Sequence, residues 1–178
     1  MRRRTRDYGP RPSVPEPRPV LLAAVRDFVG AAAAIDGVRR IALIGSLVTD
    51  KPVPKDADLL VTIAAEMDLD ALARASRQMQ GKAQKINLGA EAFLADQNGR
   101  YLGRICHWRE CRARALCRAQ HCGARNHLND DLHDVTLPAK LIAEPPLELW
   151  PTIVRRVQPA ADVEAILLAQ APSRENGP

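Results

Sequence analysis

Aromatic residues are scarce in this sequence of 178 residues, in which Trp, Tyr and Phe together make up 3%. That scarcity argues against a sandwich of tyrosine-rich strands, whereas a hydrophobic content of 46% is enough for one domain with a core of small side chains. No apolar run reaches the roughly 18–20 residues that a membrane-spanning helix needs. The opening Met-Arg-Arg-Arg is followed by no apolar segment, so we expect no secretory signal, no membrane partner and a cytoplasmic location.

Acidic residues are fewer than basic ones, 21 against 26, which gives a formal net charge of +5. The excess is uneven, because four arginines lie in the first six residues and seven lie between Arg100 and Arg125, where Glu110 is the only acid. A basic face favours a polyanionic partner, either a nucleotide or a nucleic acid. A solvated surface, with arginine favoured over lysine by codon usage, is the alternative.

The distribution of proline, cysteine and apolar residues predicts four segments. Residues 1–19 contain five prolines and are expected to form a disordered basic arm without helix. Residues 20–96 form the predicted core, residues 97–134 a Cys/Arg-rich segment that contains all four cysteines and all four histidines, and residues 135–178 a helical extension and tail.

Apolar periodicity predicts the order helix, strand, loop, strand, helix, strand within the core. The helices are expected from Val20 to about Gly37 and from Asp68 to Gly81, and a last helix from Pro159 to Gln170. The strands are expected over residues 41–44, 59–63 and 89–96, with a turn at Asn98-Gly99. We therefore expect an α/β (α+β) fold, a small mixed sheet with flanking helices.

The chemistry of this core is concentrated in two short patterns. The first strand ends in Gly45-Ser46, and nine residues later Asp56-Ala57-Asp58 opens the second strand. Alternate residues of a strand point to the same side, so Asp56 and Asp58 are expected to project together. Two neighbouring carboxylates repel each other unless a cation lies between them, and hard oxygen ligands favour Mg²⁺. The alternative is an ordinary turn at Gly45-Ser46 and two acids at a loop end.

These residues resemble the nucleotidyltransferase core of the polymerase-beta-like superfamily, over roughly residues 20–96. The resemblance implies that Asp56 and Asp58 bind two Mg²⁺ ions and that a third carboxylate, Glu91, with Asp96 as the runner-up, ligates the metal that activates the acceptor. It further implies that Gly45 and Ser46 hold the triphosphate of ATP. Lys55 is an additional candidate for a phosphate contact.

The cysteines of the 97–134 segment have the spacing Cys-x4-Cys-x5-Cys-x4-Cys. Thiolates and imidazoles at such density suit a structural Zn²⁺, with His121 or His127 as substitute ligands. Plain buried thiols and two disulfides remain the alternatives, although disulfides fit poorly with a cytoplasmic chain. The candidate ligands are Cys106, Cys111, Cys117 and Cys122.

Three functions are compatible with the sequence. The first is nucleotidyl transfer, with AMP passing from ATP to a hydroxyl of a protein, RNA or small molecule and pyrophosphate leaving. The second is a zinc-stabilised nucleic-acid-binding module on an inactive nucleotidyltransferase-like scaffold. The third, a metal-dependent glycosyl transferase, generally needs a larger sheet than we predict.

Overall fold

The computed structural model describes residues 16–106, 125–130, 132 and 135–169. No helix in these ranges is both long enough and apolar enough to cross a membrane. The helices are α1 (Pro17–Ala33), α2 (Asp70–Gln84), α3 (Ala139–Ala143) and α4 (Ala161–Val163), the last continuing as a π-helical turn over Glu164–Leu168. The strands are β1 (Val38–Ile44), β2 (Asp56–Ile63), β3 (Gly89–Ala95), β4 (Tyr101–Ile105), β5 (Leu128–Asn129), β6 (Leu147–Trp150) and β7 (Val154–Arg155).

The seven described strands form one open sheet in the order β5-β4-β3-β2-β1-β6-β7. β2 and β3 run parallel because α2 crosses over between them, whereas β1 runs antiparallel to both of its neighbours. The mixed α/β architecture and the helix–strand–strand–helix–strand order of the core confirm the coarse prediction. The sheet is larger than expected, because it also takes in β4 to β7.

The two faces of the sheet are covered differently. On one face, α1 and α2 pack their apolar sides on the central strands, for example Phe28 and Leu72 against Leu43, Leu59 and Leu94. The other face has a smaller apolar cluster, which comprises Ala42, Ile44, Leu60, Phe93, Ala95 and Ile142. Within the described residues, Ile142 of α3 and the chain before α3 cover this cluster, and the start of β2 and β3 on that face is left partly open.

The prediction that the first 19 residues contain no helix is wrong at its boundary, because α1 begins at Pro17. Pro17 and Pro19 lie in the first turn, where a backbone N–H has no partner inside the helix and proline therefore costs little. Helix α1 then ends at Ala33, before Gly37, which occupies a turn with φ 90°.

The predicted end of the second helix at Gly81 is also wrong, since α2 continues to Gln84. A glycine inside a helix costs about 1 kcal/mol, and the extra turn buries Ala83 and brings Lys82 to Asp27 of α1. Strand β1 begins at Val38, three residues earlier than predicted, because the turn after α1 is short.

Candidate functional site: a carboxylate face beside Gly45

Three carboxylates lie together on the open part of the sheet. Asp58 of β2 is the register partner of Glu91 on the parallel strand β3, so both side chains point to the same face. Asp56 lies two residues before Asp58 on the same strand and shares that face. All three residues are partly buried. We call Asp56, Asp58 and Glu91 the carboxylate face.

Gly45 lies directly against the carboxylate of Asp58. Ile44, the last residue of β1, pairs with Asp58, and Gly45 then turns the chain with φ 73°. A Cβ atom built at Gly45 would be 2.6 Å from Asp58 Oδ2, closer than such atoms approach in proteins. Glycine is therefore required here both by the backbone conformation and by the close approach of the acid.

The electrostatics of the face are unfavourable for Asp58. Burial, and then the charges of Asp56 and Glu91, raise the pKa of Asp58 from 3.8 to about 7. Among the described residues, no Lys, Arg or His forms an ion pair with Asp56 or Asp58. A cation between these two side chains would offset the repulsion from Asp56, which adds to the larger effect of burial on the pKa of Asp58.

Glu91 differs from the other two acids because it has a cationic partner. Arg104 of β4 donates from Nη1 to both oxygens of Glu91, each at 2.9 Å. Arg104 pairs with Phe93, which places it on the same face as Glu91 two residues away. In the described part of the chain, no three His, Cys, Asp or Glu side chains are grouped closely enough to hold a metal ion as they stand.

Arg104 was absent from the sequence prediction, although a signal for it existed. The turn at Asn98-Gly99 predicts a hairpin, and continuing the antiparallel register back from that turn brings Arg104 beside β3. The strands predicted from the sequence end at the Asn98-Gly99 turn and therefore do not include Arg104 as a neighbour of Glu91.

The other predicted site residues fall at different places. Ser46 opens a 3-10 turn over Ser46–Val48, and its carbonyl oxygen accepts hydrogen bonds from the N–H and hydroxyl of Thr49. Lys55 is exposed immediately before β2. The carboxylate of Asp96 accepts hydrogen bonds from the N–H groups of Asn98 and Arg100, so this residue holds the β3–β4 turn at the opposite end of β3 from Glu91.

A second arginine that the sequence did not single out fixes the turn after Gly45. Arg18 of α1 forms two hydrogen bonds with the Asp162 carboxylate, at 2.6 and 2.8 Å, and donates to the carbonyls of Leu47 and Lys51. Its side chain is 12% exposed. The Ser46–Val48 turn is thereby tied to both α1 and α4.

The predicted zinc ligands are only partly described. Cys106 is buried, and its backbone N–H donates to the carbonyl of His127 at 2.8 Å. The ring Nε2 of His127 lies 3.0 Å from Asp70 Oδ1. The remaining candidates, Cys111, Cys117, Cys122 and His121, lie outside the described residues, so the zinc site stays a prediction.

A comparison with protein families gives one match: a family of unknown function (DUF6932) matches residues 8–133. The chain belongs to this family. The DUF6932 match includes Gly45, the whole carboxylate face and Arg104, and it ends before β6 and β7. Neither the curated proteins nor the solved structures give a match to the chain.

Proposed function

We propose that this protein is a metal-dependent nucleotidyltransferase that transfers AMP from ATP to a hydroxyl of a protein, RNA or small-molecule acceptor. One observation supports this above the others: Gly45-Ser46 ends β1 directly against Asp58, where Asp56 and Glu91 share the same open face. A glycine turn suited to close approach of phosphate thus adjoins a group of acids suited to a cation.

The residues fit a divalent cation. Asp56 and Asp58 provide hard oxygen ligands on one side of one strand, and among the described residues neither has a cationic partner. When bound, Mg²⁺ would neutralise these acids and the phosphate oxygens of the nucleotide.

The chain itself contributes mainly positioning. Gly45 leaves the backbone open beside Asp58, and Ser46 is a partly exposed residue at the start of the turn that Arg18 fixes. Apolar residues next to the face, among them Ile44 and Phe93, are buried and keep the strands that bear the acids rigid. Most of the rate enhancement in such transfers comes from positioning and charge neutralisation.

The proposed transfer forms one bond and breaks one bond. The acceptor oxygen forms a bond to the α-phosphorus of ATP, while the bond from that phosphorus to the oxygen bridging the α- and β-phosphates breaks. The bridging oxygen leaves with the β- and γ-phosphates as pyrophosphate. The proton of the acceptor hydroxyl passes to water at the open face.

Transfer of label from α-³²P-ATP tests this function. The purified full chain is incubated with Mg²⁺ and an extract of its source cells, and products are separated as protein, RNA and small molecules. Wild type is expected to label one class, and Asp58→Asn is expected to reduce labelling at least about 100-fold, because the cation loses a central ligand. Asp36→Asn, an exposed acid after α1, is the matched control and should label like wild type.

Two results would contradict the proposal. One is labelling that Asp58→Asn leaves at the wild-type level. The other is an absence of both labelling and Mg²⁺-dependent binding for all four nucleoside triphosphates, in which case the nucleic-acid-binding alternative should be tested with labelled RNA and DNA.

A further inference from the structure

Arg104 divides the carboxylate face into two parts of different charge. Its Nη1 atom lies 2.9 Å from each oxygen of Glu91, and the two side chains are only 23% and 31% exposed. Arginine stays protonated at any pH at which a protein is folded, so this partner does not leave by titration. Both oxygens of Glu91 therefore already accept hydrogen bonds from a permanently charged partner.

Asp56 and Asp58 form the other part. No Lys, Arg or His of the described residues pairs with either of them, and Gly45 borders Asp58 without adding charge. The three acids of the face sum to three negative charges when ionised, and Arg104 offsets one of them. Counted over the described residues, the two charges that remain on β2 equal the charge of one divalent cation.

We propose that Arg104 limits the carboxylate face to one divalent cation, held by Asp56 and Asp58, and that its guanidinium takes the place of a second cation at Glu91. This inference rests on the proposed function, because it takes the carboxylate face to be a cation site. It departs from the two Mg²⁺ ions that the resemblance to the polymerase-beta-like superfamily implies. Arg104 is thus a positioning residue that acts through Glu91.

Counting bound Mn²⁺ tests the inference without any measurement of activity. The full chain is titrated with Mn²⁺ in the absence of nucleotide, and free Mn²⁺ is measured by electron paramagnetic resonance. Wild type is expected to bind one Mn²⁺ per chain. Arg104→Gln frees the oxygens of Glu91 and is expected to bind a second Mn²⁺, or to bind the first at least fivefold more tightly.

Three variants separate this effect from a change in folding. The double variant Arg104→Gln/Glu91→Gln should return to one Mn²⁺, because the ligand that was freed is now a neutral amide. Arg104→Lys retains one positive charge and should remain close to wild type even if Arg104→Gln proves unstable. Arg100→Gln removes an exposed arginine from the same hairpin and should leave both the number and the affinity unchanged.

The outcomes distinguish the inference from the proposed function. Two Mn²⁺ ions on wild type, or equal binding by wild type and a folded Arg104→Gln variant, overturns the inference and leaves the cation site intact. Absence of Mn²⁺ binding by wild type, or Mn²⁺ binding that Asp58→Asn leaves unchanged, overturns both.

Discussion

At the scale of single residues, Asp58 links the stability of the protein to pH. The raised pKa, about 7 against 3.8, means that between these values the folded chain keeps a proton that the unfolded chain has released. The free energy of unfolding therefore falls as pH rises from about 4 to about 7 and levels off above that. The upper limit of this contribution is about 4 kcal/mol, since one unit of pKa corresponds to about 1.4 kcal/mol.

We expect Asp58→Asn to lose this dependence and to be more stable than wild type at pH 8 when metal is removed by a chelator. Urea unfolding at pH 5, 6, 7 and 8 checks the expectation. Parallel profiles for the two proteins would show that Asp58 titrates normally.

Gly45 and Gly99 offer a matched comparison, because both have left-handed backbones, with φ 73° and φ 79°. A Cβ at Gly45 meets Asp58 Oδ2, whereas a Cβ at Gly99 meets nothing within 4 Å. Each substitution to alanine should cost about 1–2 kcal/mol of stability from backbone strain. Only Gly45→Ala should also weaken Mn²⁺ binding, by at least about tenfold, because Asp58 must move; equal affinities in the two variants would refute the role assigned to Gly45.

At the scale of the elements, Arg18 joins α1, α4 and the turn that follows β1. Arg18→Gln removes the two hydrogen bonds to Asp162 and leaves the carbonyls of Leu47 and Lys51 without their donor. We expect a loss of about 1.5–3 kcal/mol at pH 7, measured by urea unfolding. Lys82→Gln, which breaks the exposed pair with Asp27, is the control and should cost less than about 1 kcal/mol.

The contribution of Arg18 to the free energy of unfolding should be larger at neutral pH than at low pH. The hydrogen bond from Arg18 lowers the pKa of Asp162, so the pair stabilises the fold above the unfolded pKa of about 4 and is lost as pH falls through the lower folded value. The difference between wild type and Arg18→Gln should therefore shrink below about pH 4. A difference that stays constant down to pH 2 would assign the stabilisation to the carbonyl contacts alone.

The elements that periodicity predicted well are those whose own apolar pattern decides their structure, such as β2, α2 and β3. Prediction failed where the packing of a whole helix overrode a local signal. Pro17 and Gly81 each indicate a helix boundary when read alone, yet both lie inside helices that pack on the sheet. The shared face of Asp56 and Asp58 follows from alternation along one strand. The approach of Arg104 to Glu91 follows from the hairpin at Asn98-Gly99, whereas the contacts of Arg18 depend on packing between distant segments, which no local pattern specifies.

At the scale of the whole molecule, the part of the chain after residue 134 completes the sheet. β6 pairs with β1, and Ile142 of α3 covers part of the face that also bears the acids. A chain ending at residue 134 keeps the whole of the DUF6932 match but exposes the edge of β1, including the fully buried Ile41 and Leu43.

We expect this shortened chain to aggregate or to unfold without a cooperative transition, as measured by circular dichroism on heating and by size-exclusion chromatography. Adding a peptide of residues 135–178 should restore a cooperative transition if the loss is due to the missing strand. A shortened chain that melts within a few degrees of the full chain would show that the sheet is stable without β6.

The position of Asp58 between two other acids would also make binding of the proposed cation a source of protons. With a pKa of about 7, roughly half of the Asp58 side chains are protonated at pH 7, and a metal ligand must give up that proton. Each cation that binds should release about half a proton at pH 7 and almost none at pH 9. The heat of Mn²⁺ binding at pH 7 should therefore vary with the ionisation enthalpy of the buffer, and this variation should vanish at pH 9. Acidification of the surroundings would then weaken binding of the proposed cation, and alkalinisation would strengthen it.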